Sequence, residues 1–319
     1  MPPNNEKDQL RMNAQQRYFD LQVNGYFGVD FLRDDMTSDE LHIACEAMQK
    51  DGVAGCLATI TTAPLDNMCR RLRNIVQYRE RDPLVKKLIP GIHIEGPFLN
   101  RADGYRGAHD KNSIRPPDPD SVKRLLDAAG GLTRLVTLAP ECDRGYEATR
   151  MLAKQGIRVS AGHCDPTVDQ LRGAIDAGLS MYTHLGNGCA VSIHRHDNII
   201  QRALSLSDQL WLMFIADGVH VPFFALRNYL RAAGFQRTIV VTDCVAPAGK
   251  GPGRYTLFNN TVDIGEDLAI WMPDRSCLMG SALIMPRAFD NLVQKVGLTH
   301  EQAVKLTLEN PQTAMGITV

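Results

Sequence analysis

The sequence predicts an α/β protein that folds as a closed (β/α)8 barrel. Eight short apolar runs alternate with stretches long enough for a helix. The alternation extends over roughly 250 residues, which is the usual size of such a barrel. No G-x-G-x-x-G pattern follows the first run, so an open dinucleotide-binding sheet has little support. An open doubly wound sheet is the structural alternative.

The predicted strands are all short and rich in aliphatic residues. They are Tyr18–Val23, Gly55–Thr59, Lys87–Ile94, Leu135–Ala139, Ile157–Ala161, Ser180–His184, Leu212–Ala216 and Thr238–Thr242. Several of the intervening segments begin with Asp, Thr or Pro, which favour helix N-termini. Helices are predicted at Ser38–Lys50, Asp66–Glu80, Asp118–Ala129, Gly145–Gln155, Thr167–Ala177, Asp197–Leu206 and Pro222–Ala233.

The region after the eighth strand departs from this rhythm. Residues 249–281 contain glycine-rich and Asn-Asn turn signals with alternating runs at Thr261–Ile264 and Leu268–Met272, which predict a β-hairpin insertion. Helices resume at Ala282–Val296 and Thr299–Glu309. The predicted organisation is a polar N-terminal extension, residues 1–17, followed by a single catalytic domain, residues 18–319, that carries the insertion.

Composition and charge narrow the function classes. A hydrophobic content of 44% and a charged content of 22% exclude disordered and coiled-coil classes. The net charge of −1 provides no overall field for nucleic acid or an anionic membrane, and no window approaches the roughly 20 apolar residues of a membrane span. The eight cysteines are scattered without a C-x-x-C pair, so we expect reduced thiols. The N-terminal segment has no apolar h-region, so we expect a cytoplasmic location.

Unusual polar residues lie at or just past the ends of the predicted strands. They are Gln22, Asn24, His93, Glu95, Glu141, His163, His184, Asp217, His220 and Asp243. In a barrel these positions converge on one face, where active sites are found. Glu95, His163 and His184 would give three ligands with an open position, the usual design of a catalytic zinc site, and Asp243 would face the bound water as a general base.

Each of these residues also has a structural interpretation. A single histidine more often forms structural hydrogen bonds than binds a metal, and His93 would then lie lower in the barrel than Glu95. Glu141 would orient a loop. Thiolate chemistry at the barrel mouth is disfavoured, because Cys164 and Cys244 directly follow predicted functional residues and should point toward packing. The remaining thiols at the mouth are Cys142 and Cys189.

The segment His194-Arg195-His196 is a compact cationic cluster. It would bind a phosphate or a carboxylate, or it would be a solvated loop. The sequence pattern leaves both interpretations open.

A series of motifs extends along the chain. In order they are DLQVNGYFGVDF, HIEGPFLN, GAH, LAPE, SAGH, THLGN, IADGVHV, VTDCVAPAG and GSALIM. This series resembles the N-acetylglucosamine-6-phosphate deacetylases of the amidohydrolase superfamily. The resemblance extends from about Tyr18 to the terminal Asn310–Ile317 pattern. It implies removal of the acetyl group from N-acetylglucosamine 6-phosphate, yielding glucosamine 6-phosphate and acetate.

The resemblance also implies roles for single residues. Glu95, His163 and His184 would hold one divalent metal ion, with zinc the first expectation, and Asp243 would be the catalytic aspartate. Gln22 and Asn24 occupy the positions where many amidohydrolases carry the ligands of a second metal. The implied substrate contacts are His109, Asn187, Gly188, Arg195 and His220.

Arg195 aligns with an arginine that reaches the sugar phosphate across a dimer interface, which implies a homodimer. This sequence differs from the family pattern in two respects, which limits how far the family's substrate can be assigned to it. The β-sandwich domain usual in related enzymes should be missing or strongly reduced, and Asn187-Gly188-Cys189 replaces the usual Asn-Ala-Met. A deacylase of another N-acylated sugar or amino acid, or a non-catalytic sugar-phosphate sensor on the same scaffold, is therefore the alternative.

Overall fold

Eight parallel strands form the centre of the molecule. The computed structural model describes residues 16–257, 260–271 and 278–319. The strands pair in chain order. They are Tyr18–Val23, Val53–Thr61, Gly91–Glu95, Thr133–Leu138, Arg158–Ala161, Leu179–Tyr182, Trp211–Ile215 and Thr238–Val241, called barrel strands 1 to 8 below.

Barrel strands 1 and 8 meet at a seam that nearly closes the sheet. A single parallel bridge joins Val23 to Cys244, and the Asn24 amide N–H donates to the Cys244 carbonyl over 2.8 Å. The side chain of Asp20 crosses the same seam and accepts a 2.5 Å hydrogen bond from the Thr242 hydroxyl. The fold is therefore the predicted (β/α)8 type, with side-chain hydrogen bonds completing the closure.

Helices connect successive strands and pack outside the barrel. They are Ser38–Lys50, Leu65–Arg81, Pro83–Leu88, Pro119–Ala128, Glu147–Lys154, Val168–Asp176, Ile199–Leu204, Phe223–Ala233, Met285–Asn291, His300–Val304 and Asn310–Met315. Short 3-10 turns lie at Pro140–Cys142 and Arg144–Tyr146, and π-helical turns at Leu292–Val296 and Lys305–Glu309. The first helix begins with a reciprocal capping box between Thr37 and Glu40, as its sequence pattern suggests.

The predicted third strand was wrong at its start. The predicted run Lys87–Ile94 begins inside the helix Pro83–Leu88, and the strand itself is Gly91–Glu95. The reason is local. The Asp82 carboxylate caps the amides of Leu84 and Val85, which stabilises one extra helical turn that the apolar run conceals.

The insertion after barrel strand 8 contains two hairpins rather than one. Gly253–Leu257 pairs with Asn260–Ile264, and Ala269–Trp271 pairs with Leu278–Ser281. The two runs predicted to form one hairpin therefore have separate partners, and Met272 lies outside the described residues. A separate apolar cluster supports this region, formed by Val245, Ala246, Leu257, Val262, Ile264, Leu268, Ile270, Met279 and Ala282.

A third, very short hairpin was not predicted. Gly25–Tyr26 pairs with Val29–Asp30 directly after barrel strand 1. Most of the predicted N-terminal extension, residues 1–15, lies outside the described residues. Among the described helices, none is both long enough and apolar enough to cross a membrane.

Candidate active site

Four candidate residues lie at the carboxyl ends of four barrel strands. Glu95 is the last residue of barrel strand 3. His163, His184 and Asp243 each lie two residues beyond the last residue of strands 5, 6 and 8. All three have left-handed backbones, with φ of 51°, 34° and 50°. Such non-glycine conformations cost on the order of 1 kcal/mol or more each and cluster at functional sites.

Glu95, His163 and His184 form one tight group. Their potential ligand atoms all lie within 4.8 Å of one another. Glu95 Oε1 is 2.9 Å from His184 Nε2 and 3.3 Å from His163 Nε2. All three side chains are buried. The structure thus brings the three predicted metal ligands together at one point.

The electrostatics of this group favour an ionised carboxylate. Burial raises the pKa of Glu95, but hydrogen bonds from His163 and His184 outweigh it and hold that pKa well below its usual range. Burial lowers the pKa of His184, yet the hydrogen bond and charge of Glu95 raise it above the usual value. A negative charge between two imidazoles is therefore the stable arrangement of these side chains.

The donor set fits a divalent metal ion. Two imidazole nitrogens and one carboxylate oxygen converge, as in catalytic sites with three protein ligands. His163 Nδ1 lies 2.8 Å from the Tyr105 carbonyl oxygen, an acceptor that requires the proton on Nδ1 and leaves Nε2 free to bind. His184 Nδ1 is buried and has no hydrogen-bond partner among the described residues.

Two amides at the end of barrel strand 1 contact Asp243 and Glu95. Asn24 Nδ2 donates to Asp243 Oδ1 over 2.8 Å, and Gln22 Nε2 donates to Glu95 Oε2 over 3.1 Å. Burial, followed by the charge of Glu95, raises the pKa of Asp243 to about 6. The two amides therefore hold the two carboxylates in place.

The predicted substrate contacts have different surroundings. His109 Nδ1 lies 2.8 Å from Thr62 Oγ1, and its ring packs edge-on against His163 with centroids 4.4 Å apart. Burial, followed by the charge of His163, lowers the pKa of His109 to about 3, so this ring is neutral at pH 7. His220 pairs with Asp217 over 2.5 Å.

The loop after barrel strand 6 carries the other predicted contacts. The Asn187 side chain donates to the His184 carbonyl over 3.2 Å. A Cβ atom on Gly188 would lie only 2.8 Å from His163 Nδ1, so the His163 ring fits only against a residue without a side chain. Arg195 is exposed and forms no hydrogen bond or ion pair with another described residue.

Other candidates have structural surroundings. His93 lies inside the barrel, where Nε2 is 2.8 Å from Thr137 Oγ1 and Nδ1 is 3.2 Å from the Leu21 carbonyl. Glu141 accepts hydrogen bonds from Asn100 and from the Asp165 amide, which joins two loops. Cys164 and Cys244 are buried, and burial raises the pKa of both thiols well above the usual value. Cys142 and Cys189 are half-buried.

Sequence reasoning missed three residues that support the site. Tyr105 acts through its backbone carbonyl, which leaves no signal in the side-chain pattern. Thr62 contacts His109 across loops from different strands. Asp20 could have been found, because it alternates with Gln22 and Asn24 on barrel strand 1 and so belongs to one face of that strand.

The barrel and its Glu-His-His group define the class of this protein as the amidohydrolase type, and comparison with known proteins identifies the family. No protein-family model matches the chain. The N-acetylgalactosamine-6-phosphate deacetylase of Escherichia coli O157:H7 is 30% identical over 94% of this chain and 77% of its own length. The human N-acetylglucosamine-6-phosphate deacetylase is 33% identical, over 94% and 74%.

Solved structures agree with these relatives. A mutant N-acetyl-D-glucosamine-6-phosphate deacetylase from Mycobacterium smegmatis, in complex with N-acetyl-D-glucosamine-6-phosphate, superposes with a TM-score of 0.84 at 30% identity. The match covers 95% of this chain and 77% of that one. The enzyme from Pasteurella multocida gives a TM-score of 0.83 at 28% identity, over 95% and 76%. The chain belongs to the N-acetylglucosamine-6-phosphate deacetylase family.

Proposed function

We propose that this protein hydrolyses the N-acetyl group of N-acetylglucosamine 6-phosphate, producing glucosamine 6-phosphate and acetate. The observation that carries the proposal is the convergence of Glu95, His163 and His184 within 4.8 Å, with Asp243 braced beside them by Asn24. Membership of the deacetylase family supports the substrate. The reaction belongs to amino-sugar breakdown.

Glu95, His163 and His184 would hold one divalent metal ion, and we propose zinc, because a nitrogen-rich set with a single carboxylate suits it. Bound there, the ion would supply Lewis acidity toward a carbonyl oxygen or a water. Gln22 and Asn24 offer only neutral amides, whose nitrogens donate to Glu95 and Asp243, in place of the imidazoles or carboxylates that a second ion would favour. One ion is therefore the expected stoichiometry.

Asp243 would move the proton. Its carboxylate takes a proton from the attacking water and later delivers it to the departing amine. The hydrogen bond from Asn24 occupies Oδ1 and leaves Oδ2 for this exchange. His109, neutral at pH 7, would donate from Nε2 to the developing oxyanion in the tautomer whose Nδ1 accepts from the Thr62 hydroxyl.

The sugar phosphate would be bound by the cationic loop. Arg195 is exposed without a partner among the described residues, so it is available to a ligand. We propose that it reaches the site of a neighbouring subunit in a homodimer. Asn187, Gly188 and His220 would line the sugar, and no nucleic acid or membrane partner is expected.

Residues 18–319 would then form one catalytic domain with the two hairpins as an insertion at 249–281. The apolar cluster of these hairpins is separate from the barrel core. Residues 1–17 would be a polar extension. Protease resistance of the barrel and the insertion as one unit would support this division, and cleavage between them into two stable fragments would overturn it.

Acetate release by zinc-loaded protein tests the function. We expect efficient turnover of N-acetylglucosamine 6-phosphate and poor turnover of unphosphorylated N-acetylglucosamine. A second candidate substrate is N-acetylgalactosamine 6-phosphate, favoured by the 30% identical relative from Escherichia coli O157:H7. Preference for that sugar would reassign the substrate. Binding without turnover in metal-loaded protein would instead indicate a sensor, and turnover confined to other N-acyl compounds a different deacylase.

A further inference from the structure

We propose that Tyr105, Asp165 and Arg202 form a positioning network that couples the substrate loop, residues 187–198, to His163. This inference rests on the proposed function, in which His163 binds the metal. None of the three residues belongs to the predicted site. Their contacts nevertheless run without interruption from the metal group to the exposed loop.

The first link holds the imidazole. His163 Nδ1 lies 2.8 Å from the Tyr105 carbonyl oxygen, and the His163 carbonyl accepts from the Asn100 amide over 3.0 Å. Both contacts come from the loop that follows barrel strand 3. Since such partners fix the tautomer and the orientation of a metal-binding histidine, the position of this loop sets the ring.

The second link holds that loop. The Tyr105 hydroxyl donates to Asp165 Oδ2 over 2.8 Å, and Arg202 Nη1 donates to Asp165 Oδ1 over 2.9 Å. The side chains of Arg202 and Asp165 are 13% and 36% exposed, so water and salt screen this charged contact only in part. Asp165 therefore receives one donor on each of its two oxygens, from opposite sides of the network.

The third link reaches the substrate loop. Arg202 Nε donates to Asp197 Oδ1 over 2.6 Å, and the Asp197 amide in turn donates to His194 Nδ1 over 2.9 Å. Arg202 thus joins the carboxylates of Asp165 and Asp197. The end of the loop that carries Arg195 is tied to the residue that anchors Tyr105.

Direct packing supports the same coupling. Gly188 of the substrate loop lies against the His163 ring, where a Cβ atom would approach Nδ1 to 2.8 Å. A Cβ atom on Gly104 would lie 3.0 Å from the Ala190 Cβ, so the two loops touch. A shift of the substrate loop therefore cannot leave the Tyr105 loop and the imidazole unchanged.

Cobalt affinity of the full chain tests the network without any sugar. We compare Tyr105→Phe, Arg202→Met and the double variant with wild type, by competition with a chelator. Tyr255→Phe and Arg227→Met are matched controls, since their side chains bond only backbone carbonyls elsewhere. We expect each network variant to weaken cobalt binding about tenfold or more and to shift the absorption bands of bound cobalt.

The double variant distinguishes a network from two unrelated losses. Because the links act in series, it should bind cobalt no more weakly than the worse single variant. Asp165→Asn provides an independent test if Arg202→Met fails to fold. Affinities within twofold of wild type, or effects that multiply in the double variant, would overturn the network.

Trypsin cleavage after Arg195 reports on the loop itself. Coupling is reciprocal, so cobalt should slow cleavage in wild type and slow it much less in Tyr105→Phe. Equal protection in both proteins would overturn the coupling. If the cobalt affinities and the protection from trypsin are as expected but no acetate is released, the result would count against the proposed function alone. Wild-type protein that binds no cobalt would overturn both.

Discussion

Two walls of the same barrel mouth carry buried carboxylates in opposite states. The metal wall consists of Glu95, His163 and His184 on barrel strands 3, 5 and 6. The seam wall consists of Asp20, Gln22, Asn24, Thr242 and Asp243 at strands 1 and 8. Hydrogen bonds from the histidines lower the pKa of Glu95. Burial raises the pKa of Asp20 to about 7 and that of Asp243 to about 6.

The difference between Glu95 and Asp20 follows from their partners and not from burial, because both residues are only 2% exposed. Imidazoles on the metal wall take up positive charge and keep Glu95 ionised. Amides and a hydroxyl on the seam wall are neutral, so they offset less of the desolvation cost. One wall is therefore suited to hold a cation, and the other to bind and release a proton near neutral pH.

The largest expected effect concerns Asp243, the proposed proton carrier of the seam wall. Asp243→Asn removes the exchangeable proton but keeps the size of the side chain, so acetate release should fall about 100- to 10,000-fold. Metal content should stay at the wild-type level, measured by atomic emission. Asp263→Asn, which alters an exposed ion pair in a hairpin, is the control. Near-wild-type turnover of Asp243→Asn would remove its catalytic role.

Removal of an imidazole tests the metal wall in the same way. His184→Ala leaves two of three ligands and removes one of the two imidazoles beside Glu95, so we expect zinc affinity to fall by two orders of magnitude or more. The measurement is zinc stoichiometry after dialysis, with His42→Ala as the control at a partly exposed histidine. Full zinc occupancy in His184→Ala would exclude this residue from the ligand set.

The pH dependence of stability tests the raised pKa of Asp20 on the seam wall. Burial raises the pKa of Asp20 from 3.8 to about 7, so the folded chain keeps a proton that the unfolded chain releases above pH 4. Unfolding free energy therefore falls as pH rises from about 4 to about 7, by a few kcal/mol at about 1.4 kcal/mol per pKa unit.

Asp20→Asn removes this contribution. Both proteins are compared without metal, by urea unfolding at each pH. The unfolding free energy of the variant should increase relative to that of wild type as the pH rises from 5 to 8. A difference between the two proteins that does not change with pH would contradict the raised pKa of Asp20.

The smallest expected effect lies behind the metal wall. Gly188 has φ of 60°, and an added Cβ would meet His163 Nδ1 at 2.8 Å, so Gly188→Ala should weaken zinc binding about tenfold. Gly145→Ala is the control, because Gly145 has φ of 64° but no atom near the added Cβ. Equal zinc affinity in the two variants would show that a methyl group at position 188 does not disturb the His163 ring.

Barrel strands and most helices were predictable, because apolar runs and capping residues act over short stretches of chain. The boundaries that were wrong depended on local competition, such as the Asp82 cap that extends the helix Pro83–Leu88 into a predicted strand. The hairpin pairing was also wrong in detail, since alternation identifies a strand without identifying its partner.

The sequence by itself determined the residue types of the site and their order along the chain. Polar residues at strand ends must converge once the sheet curves into a barrel, so the convergence of Glu95, His163 and His184 was predictable from their placement. Only the tertiary structure decided the protonation of these side chains and the residues that hydrogen-bond to them. Loops from different strands decide whether a carboxylate lies beside imidazoles or beside neutral amides. They also place the Tyr105 carbonyl against His163. No local pattern encodes contacts between segments so far apart in the chain.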